Sequence, residues 1–282
     1  MKKVLFIPLL LLAGIQLKAQ SVMFNLTYQP TTTYTINKDM KMGMSMTMPV
    51  VVPGMGDGKG IATDMSMTSV ATVTTAARNP DKMIPIKFVS KIASIKTTMN
   101  GQEIPAGDAA AGATTVLYGK ISPENKLLID STTGKKMDDS VRKAMLKLVE
   151  SAQNGLKFPD QPMKPGDTFT QELPFSVPMP GIAGSSVTVK MTYKLVSITG
   201  NTAAFDFIET LGVNLNPAAQ NQNVGMTMSG TGSGSISYDI SKQFYTTMTN
   251  NLDLTFSINV NGMDMKSKCA IVSIDKVDIA VN

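Results

Sequence analysis

The fold is decided by residues 251–269, NLDLTFSINVNGMDMKSKC. Apolar and polar residues alternate over 252–260, which is the period of a β-strand with one buried face. Asn261-Gly262 follows, the strongest signal for a two-residue hairpin. A loop of two residues places Cys269 opposite Leu254. The sequence therefore predicts an antiparallel hairpin whose buried face includes Cys269.

The same alternation extends over most of the chain from residue 21 onward. Further β segments are predicted at residues 22–36, 40–52, 61–76, 83–99, 187–198, 202–213 and 226–238. The polar residues 37–39, Asn-Lys-Asp, are predicted to form a turn between the first two. Consecutive hairpins favour antiparallel pairing. The predicted fold class is mainly β: a large curved antiparallel sheet or open half-barrel of about ten to twelve strands.

One segment departs from the β pattern. Residues 138–154 place Val141, Met145 and Leu148 at helical spacing, and Gly155 supplies a stop. We predict one main amphipathic helix there.

The N-terminus has the features of an export signal. Lys2 and Lys3 precede an apolar run over 4–12, and Ala19 offers a small residue for cleavage. Residues 1–20 are therefore predicted to be a signal peptide, which places the mature protein in the periplasm or outside the cell. No later apolar run is long enough for a membrane span in the mature chain.

Two domain organisations fit this pattern. The first is a single β-rich domain over residues 21–282. The second is a pair of β halves, 21–130 and 156–282, joined by the helix at 138–154.

Composition excludes several chemistries. The chain has no His and one Cys, which removes Ser-His-Asp and Cys-His catalysis, histidine-ligated metals and intrachain disulfides. We therefore predict no enzyme activity, no catalytic residues, no cofactor and no metal. The net charge of +5 includes Lys2, Lys3 and Lys18 of the predicted signal peptide, and its small size argues against nucleic acid as a partner.

Methionine is the most unusual residue type, with 22 copies. Alternate positions of one predicted strand carry Met42, Met44 and Met46, and a later strand carries Met226 and Met228. Flexible thioethers fill irregular cores, so a packed sheet face is the simplest interpretation. The alternatives are an adaptable surface for an apolar ligand and a Cu(I) site made of thioethers.

Glycine occupies three successive positions on one face of the same later strand, Gly230, Gly232 and Gly234. A face without side chains permits close approach of something bulky, either the predicted helix or a ligand. We predict that the helix lies over this strip. The candidate ligand-binding residues are Met42, Met44, Met46, Met226, Met228, Gly230, Gly232, Gly234 and Met145.

Glu209 shares the apolar face of its predicted strand with Phe205 and Phe207. Burial would raise the pKa of this carboxyl group. Because Glu is rarely fully buried, a strand end or bulge that exposes Glu209 is the favoured interpretation.

Residues 158–169, FPDQPMKPGDTF, combine a proline-rich approach, a Gly-Asp turn and an aromatic residue that leads into a strand. With residues 191–203, MTYKLVSITGNTA, this pattern resembles secreted β-rich envelope proteins of Gram-negative bacteria that form a domain of unknown function. That family often has Trp where this chain has Phe169. The predicted fold also resembles the lipoprotein-carrier fold, whose curved sheet is covered by helices and can hold acyl chains.

Two functions follow as hypotheses. The first is a non-catalytic exported envelope protein that binds or carries an apolar ligand such as a lipid or a lipoprotein acyl chain. The alternative is a structural or protein-interaction module of the envelope, with a protein partner and no small ligand.

Overall fold

The computed structural model describes residues 21–47, 60–105, 112, 114–133, 156–176, 186–215, 224–260 and 263–282. These residues form one large antiparallel sheet of twelve strands, which is open rather than closed, as expected for a mainly β protein. The strands are β1 (Thr32–Thr47), β2 (Ile61–Thr75), β3 (Ile84–Met99), β4 (Gln102–Ile104), β5 (Thr114–Ile121), β6 (Leu127–Thr133), β7 (Thr168–Ser176), β8 (Ser186–Thr199), β9 (Thr202–Leu215), β10 (Val224–Asp239), β11 (Phe244–Val260) and β12 (Met263–Val281).

Most strands pair with their neighbours in the chain. The order across the sheet is β6-β5-β3-β2-β1-β12-β11-β10-β9-β8-β7, and the short β4 pairs with the end of β3. The first and last strands therefore lie side by side in the middle of the sheet, from Thr32 opposite Val281 to Thr47 opposite Lys266. The two edges of the described sheet, β6 and β7, are consecutive in the chain.

The hairpin that links β11 to β12 has the predicted register. Val260 pairs with Met263, and Leu254 lies opposite Cys269. Cys269 is 6% exposed, so its predicted burial is confirmed. The alternation of apolar and polar residues thus correctly predicts which face of these two strands is buried.

The predicted turn at residues 37–39 is wrong. These residues lie inside β1, which runs unbroken from Thr32 to Thr47. Lys38 lies on the apolar face of the sheet, and Asp275 of β12 stands directly opposite it. The ion pair between them allows a lysine in the middle of a strand.

The predicted strand at 22–36 begins only at Thr32, because the chain turns sharply before it. Thr31 has a φ of 49°, directly after Pro30. Thr75 holds this turn by accepting a hydrogen bond from Thr32 N–H and donating one to the Gln29 carbonyl. Residues 21–30, which we call the N-terminal segment, therefore leave the plane of the sheet.

The N-terminal segment crosses one end of the strands and contacts three hydrophobic clusters. Phe24 is buried in the first cluster, Leu26 packs against the first and second, and Tyr28 against the second and third. Backbone hydrogen bonds fasten the segment to Met163 and Gln243. Alternate side chains point into the protein, which explains why this stretch has the sequence pattern of a strand.

The three clusters fill the same end of one sheet face. The first contains Phe24, Met163, Tyr193, Leu195, Ala203, Phe205, Phe207, Ile236 and Tyr238. The second contains Tyr34, Val73, Phe244 and Val277. The third contains Ile84, Ile86, Ile121 and Leu127. We call this face the core face and this end its aromatic end.

The helix predicted at residues 138–154 lies outside the described residues. Within the part that the structure describes, no helix is long and apolar enough to cross a membrane.

Candidate functional site

From the border of the aromatic end onward, antiparallel pairing aligns core-face residues of seven strands in rows. The asparagine row consists of Met67, Met40, Ser273, Asn250, Gly234, Phe207 and Tyr193. The glutamate row consists of Met65, Met42, Ile271, Leu252, Gly232, Glu209 and Met191. The cysteine row consists of Thr63, Met44, Cys269, Leu254, Gly230, Leu211 and Val189. We call the part of the core face that starts at the glutamate row the methionine end.

Met42, one of the predicted methionine candidates, lies among other methionines where the methionine end begins. Met42 stands opposite Met65, and the neighbouring pair on the same two strands is Met40 with Met67. Their side chains are half-buried, in contrast to the fully buried Tyr34 at the other end of β1. The thioethers therefore form a partly exposed, flexible apolar surface across the two strands.

The remaining methionine candidates are spread more widely. Met44 lies opposite Cys269, and Met46 opposite Ser267. On β10, Met228 is half-buried and stands opposite Phe256, and the backbone of Met226 pairs with that of Leu215. Met145 lies outside the described residues.

The glycine strip of β10 is occupied by side chains from the two strands beside it. A Cβ atom on Gly230 would meet Leu254 and Leu211. The corresponding atom on Gly232 would lie 2.7 Å from Glu209 Cγ, and one on Gly234 would meet Phe207. The three glycines thus make room for large side chains of β9 and β11, which the sequence did not indicate.

Glu209 is buried, so the interpretation that it is exposed at a strand end or bulge is wrong. Only 6% of the residue is exposed. Its side chain leans over Gly232, because that position has no side chain of its own. The signal that could have revealed this burial is the pairing of Glu209 with a glycine, which depends on the register between β9 and β10.

The carboxyl group of Glu209 has an incomplete set of partners. Its Oε1 has no hydrogen-bond partner among the described residues, and neither has the buried Oδ1 of Asn250 on β11. Burial raises the pKa of Glu209, and the amide of Asn250 only partly offsets that effect. Burial, with a contribution from Glu209, also raises the pKa of the neighbouring Tyr193 to about 12.

A second buried carboxyl group, that of Asp275, lies one row closer to the aromatic end than Asn250. Lys38 Nζ is 3.4 Å from its Oδ1. Burial raises the pKa of Asp275, and Lys38 counteracts this shift. No basic residue occurs in the asparagine, glutamate or cysteine rows, so Glu209 has no such counter-ion in them.

The two buried carboxyl groups of the described core face lie apart from each other. Within the described residues, no three His, Cys, Asp or Glu side chains come together as a possible metal site. Glu209 and Asp275 are separated by β10 and β11 in the sheet order, so they are not paired as acid and base. The methionine end is an apolar surface with the carboxyl group of Glu209 at its border.

Comparisons with known proteins give no assignment. No family model matches the chain, and no curated protein is significantly similar to it.

Proposed function

We propose that this is a non-catalytic exported protein of the bacterial envelope that binds an apolar ligand, such as a lipid or a lipoprotein acyl chain, on the methionine end of its core face. The observation that carries the proposal is the difference between the two ends of that face. The aromatic end is filled by the N-terminal segment, whereas Met42, Leu252 and Leu254 of the methionine end are half-buried.

The chemistry of the methionine end suits such a ligand. Thioether side chains are flexible and polarizable, so they adapt to apolar molecules of different shape. Binding sites for small molecules combine a largely apolar surface with a few polar groups. Met42 lies opposite Met65 on one side and Ile271 on the other, and Leu252 follows Ile271 in the same row. All three residues are apolar.

The finer architecture is part of the same proposal. The open antiparallel sheet would be a curved half-barrel like that of the lipoprotein carriers, with the helix predicted at 138–154 near the glycine strip. The export signal predicted at residues 1–20 would deliver the protein to the periplasm or the exterior. Sequencing the N-terminus of exported protein tests delivery, since we expect it to begin at Gln20 or Ser21.

Native mass spectrometry of the protein purified from its own envelope tests the function directly. A bound lipid would appear as added mass that is lost on denaturation. In vitro, the fluorescence of N-phenyl-1-naphthylamine should rise on binding. Met42→Gln should weaken this binding severalfold, because it places an amide in the apolar row.

The matched control is Lys41→Gln, which changes the adjacent, exposed residue on the opposite face of β1. It should leave probe binding unchanged. No added mass together with no probe binding would reject the proposal and favour the structural or protein-interaction module instead.

A further inference from the structure

Glu209 is the one charged residue in the glutamate row, whose other members are methionine, isoleucine, leucine and glycine. A carboxyl group in such surroundings is unusual, since charged side chains are rarely buried without a partner. Oε1 lies over Gly232 without a hydrogen bond from any described residue. Buried polar atoms without partners are few in folded proteins, and a ligand is one explanation for them.

The position of Glu209 along β9 is equally informative. Phe207, two residues earlier on the same face, is fully buried in the aromatic end. Leu211, two residues later, is half-buried. Glu209 therefore lies where the methionine end begins, between the fully buried Phe207 and the half-buried Leu211. A ligand on the methionine end would reach the carboxyl group with one of its ends.

The side-chain amide of Asn250 lies near Glu209 and adds a second polar group at this place. Asn250 Oδ1 is a second buried acceptor that receives no hydrogen bond from the described part of the chain. The glycines of β10 leave no side chain between Asn250 on β11 and Glu209 on β9. Two free acceptor oxygens on an apolar face complement a group that donates several hydrogen bonds. An ammonium group has three such donors and the charge that matches a carboxylate.

We propose that Glu209, together with Asn250, binds the amine head of a long-chain amphiphile whose alkyl chain lies along the glutamate row. This inference rests on the proposed function and adds the chemistry of the ligand's head group. The row offers enough length for the chain: Met42 is four strands away from Glu209, about 19 Å at the usual spacing between strands. Anionic head groups are disfavoured at this site by the same carboxylate.

The test compares amphiphiles that share a dodecyl chain and differ only in the head. The assay measures how well each compound displaces N-phenyl-1-naphthylamine from the full mature protein. The three compounds are dodecylamine, dodecanol and dodecanoate, each used at neutral pH and below its micelle concentration. We expect the amine to bind about tenfold more tightly than the alcohol, as suits a hydrogen bond to a charged group, and dodecanoate to bind most weakly. Butylamine should not displace the probe, because it lacks the chain.

Glu209→Gln keeps the size of the side chain and removes its charge. It should abolish the preference for the amine. The affinity for dodecanol should change by no more than about twofold, because a change of that size is smaller than the contribution of one hydrogen bond. Asp206→Asn is the matched control, because Asp206 is exposed on the opposite face of the same strand. This control should keep the preference.

Equal binding of dodecylamine and dodecanol to the wild-type protein would overturn the inference and leave the proposed function intact. So would a preference that survives Glu209→Gln. If none of the dodecyl compounds binds, the proposed function itself fails. If Glu209→Gln does not fold, the comparison of dodecylamine with dodecanol on the wild-type protein still tests the inference.

Discussion

Lys38 Nζ lies 3.4 Å from Asp275 Oδ1, and this contact is an ion pair on the core face. Lys38 belongs to β1 and Asp275 to β12, so the pair fastens together the two central strands of the sheet. Asp275 is buried, whereas the Lys38 side chain is 38% exposed. The ammonium group thus neutralises a carboxylate that could not otherwise be ionised there at low cost.

Lys38→Met is expected to destabilise the protein by about 1–3 kcal/mol at pH 7, since it leaves a buried carboxylate without a partner and the lysine it removes is partly exposed. Without Lys38, the pKa of Asp275 rises further above its ordinary value. The loss should therefore be large at neutral pH and shrink as the pH falls below about 4, where this carboxyl group is protonated in both states. Urea unfolding at the two pH values measures it.

The double variant Lys38→Met with Asp275→Leu is the control for this prediction. It removes both charges from the apolar face, and should recover most of the lost stability. A single variant as stable as the wild type at pH 7 would show that the contact contributes nothing.

Glu209→Gln is expected to stabilise the ligand-free protein by roughly 1 kcal/mol at pH 7, the scale of one unpaired buried polar group. The pKa of Glu209 is raised on folding, so the ionised form is penalised above the pKa of the unfolded chain. The gain should vanish below about pH 4, where the carboxyl group is neutral in both states. Unfolding by urea at pH 7 and pH 4 would show it, and a loss of stability at pH 7 would contradict this account.

Gly232→Leu should destabilise the fold by about 3 kcal/mol or more, which is the upper range for overpacking a well-filled site. A Cβ atom there would lie 2.7 Å from both Glu209 Cγ and the Asn251 carbonyl oxygen. Ser233→Leu places the same side chain on the exposed opposite face, and should change the stability by less than about 1 kcal/mol. Equal effects in thermal unfolding would mean that the glycine is not needed for packing.

Phe24→Ala is expected to cost about 3–5 kcal/mol, the usual loss for a fully buried aromatic residue. The ring of Phe24 meets Phe205 edge to face, with centroids 5.0 Å apart, and it also contacts Tyr238. Met23→Ala is the control one residue away, where the side chain is 48% exposed. Calorimetry should find a much lower Tm for the first variant only.

Cys269 should react slowly with a water-soluble thiol reagent until the protein is denatured. The residue is 6% exposed, and burial also raises the pKa of its thiol. For comparison, Lys268→Cys in a Cys269→Ala background moves the thiol to the exposed face of β12 and should be labelled rapidly. Rapid labelling of the native wild type would contradict the burial of Cys269.

Local alternation was sufficient to predict the pairing of Leu254 with Cys269, because a two-residue loop sets the register of both strands. It was not sufficient for Lys38, whose partner Asp275 is 237 residues away in the chain. Three polar residues in succession resemble a turn when that partner is unknown.

The burial of Glu209 and the route of the N-terminal segment were missed for a related reason. Glu209 is buried only because Gly232 stands beside it, across a register that sequence alone did not provide. In the N-terminal segment, Phe24 and Leu26 lie at alternate positions with Asn25 between them, as in a strand with one buried face. Any extended chain with one buried side has that period, so alternation cannot distinguish a sheet strand from a segment that crosses over the sheet.

The central position of β1 and β12 has a consequence for the order in which the protein folds. β1 can pair with β2 as soon as that strand has been made, but its other edge stays unpaired until β12, the last described strand, is present. Contacts between such distant parts of a chain form slowly, because a very large loop has to close. A chain that is made from its N-terminus would therefore keep this edge of β1 unpaired until the last strand has been made. This is the interval in which the protein is most prone to aggregate, or most in need of a chaperone.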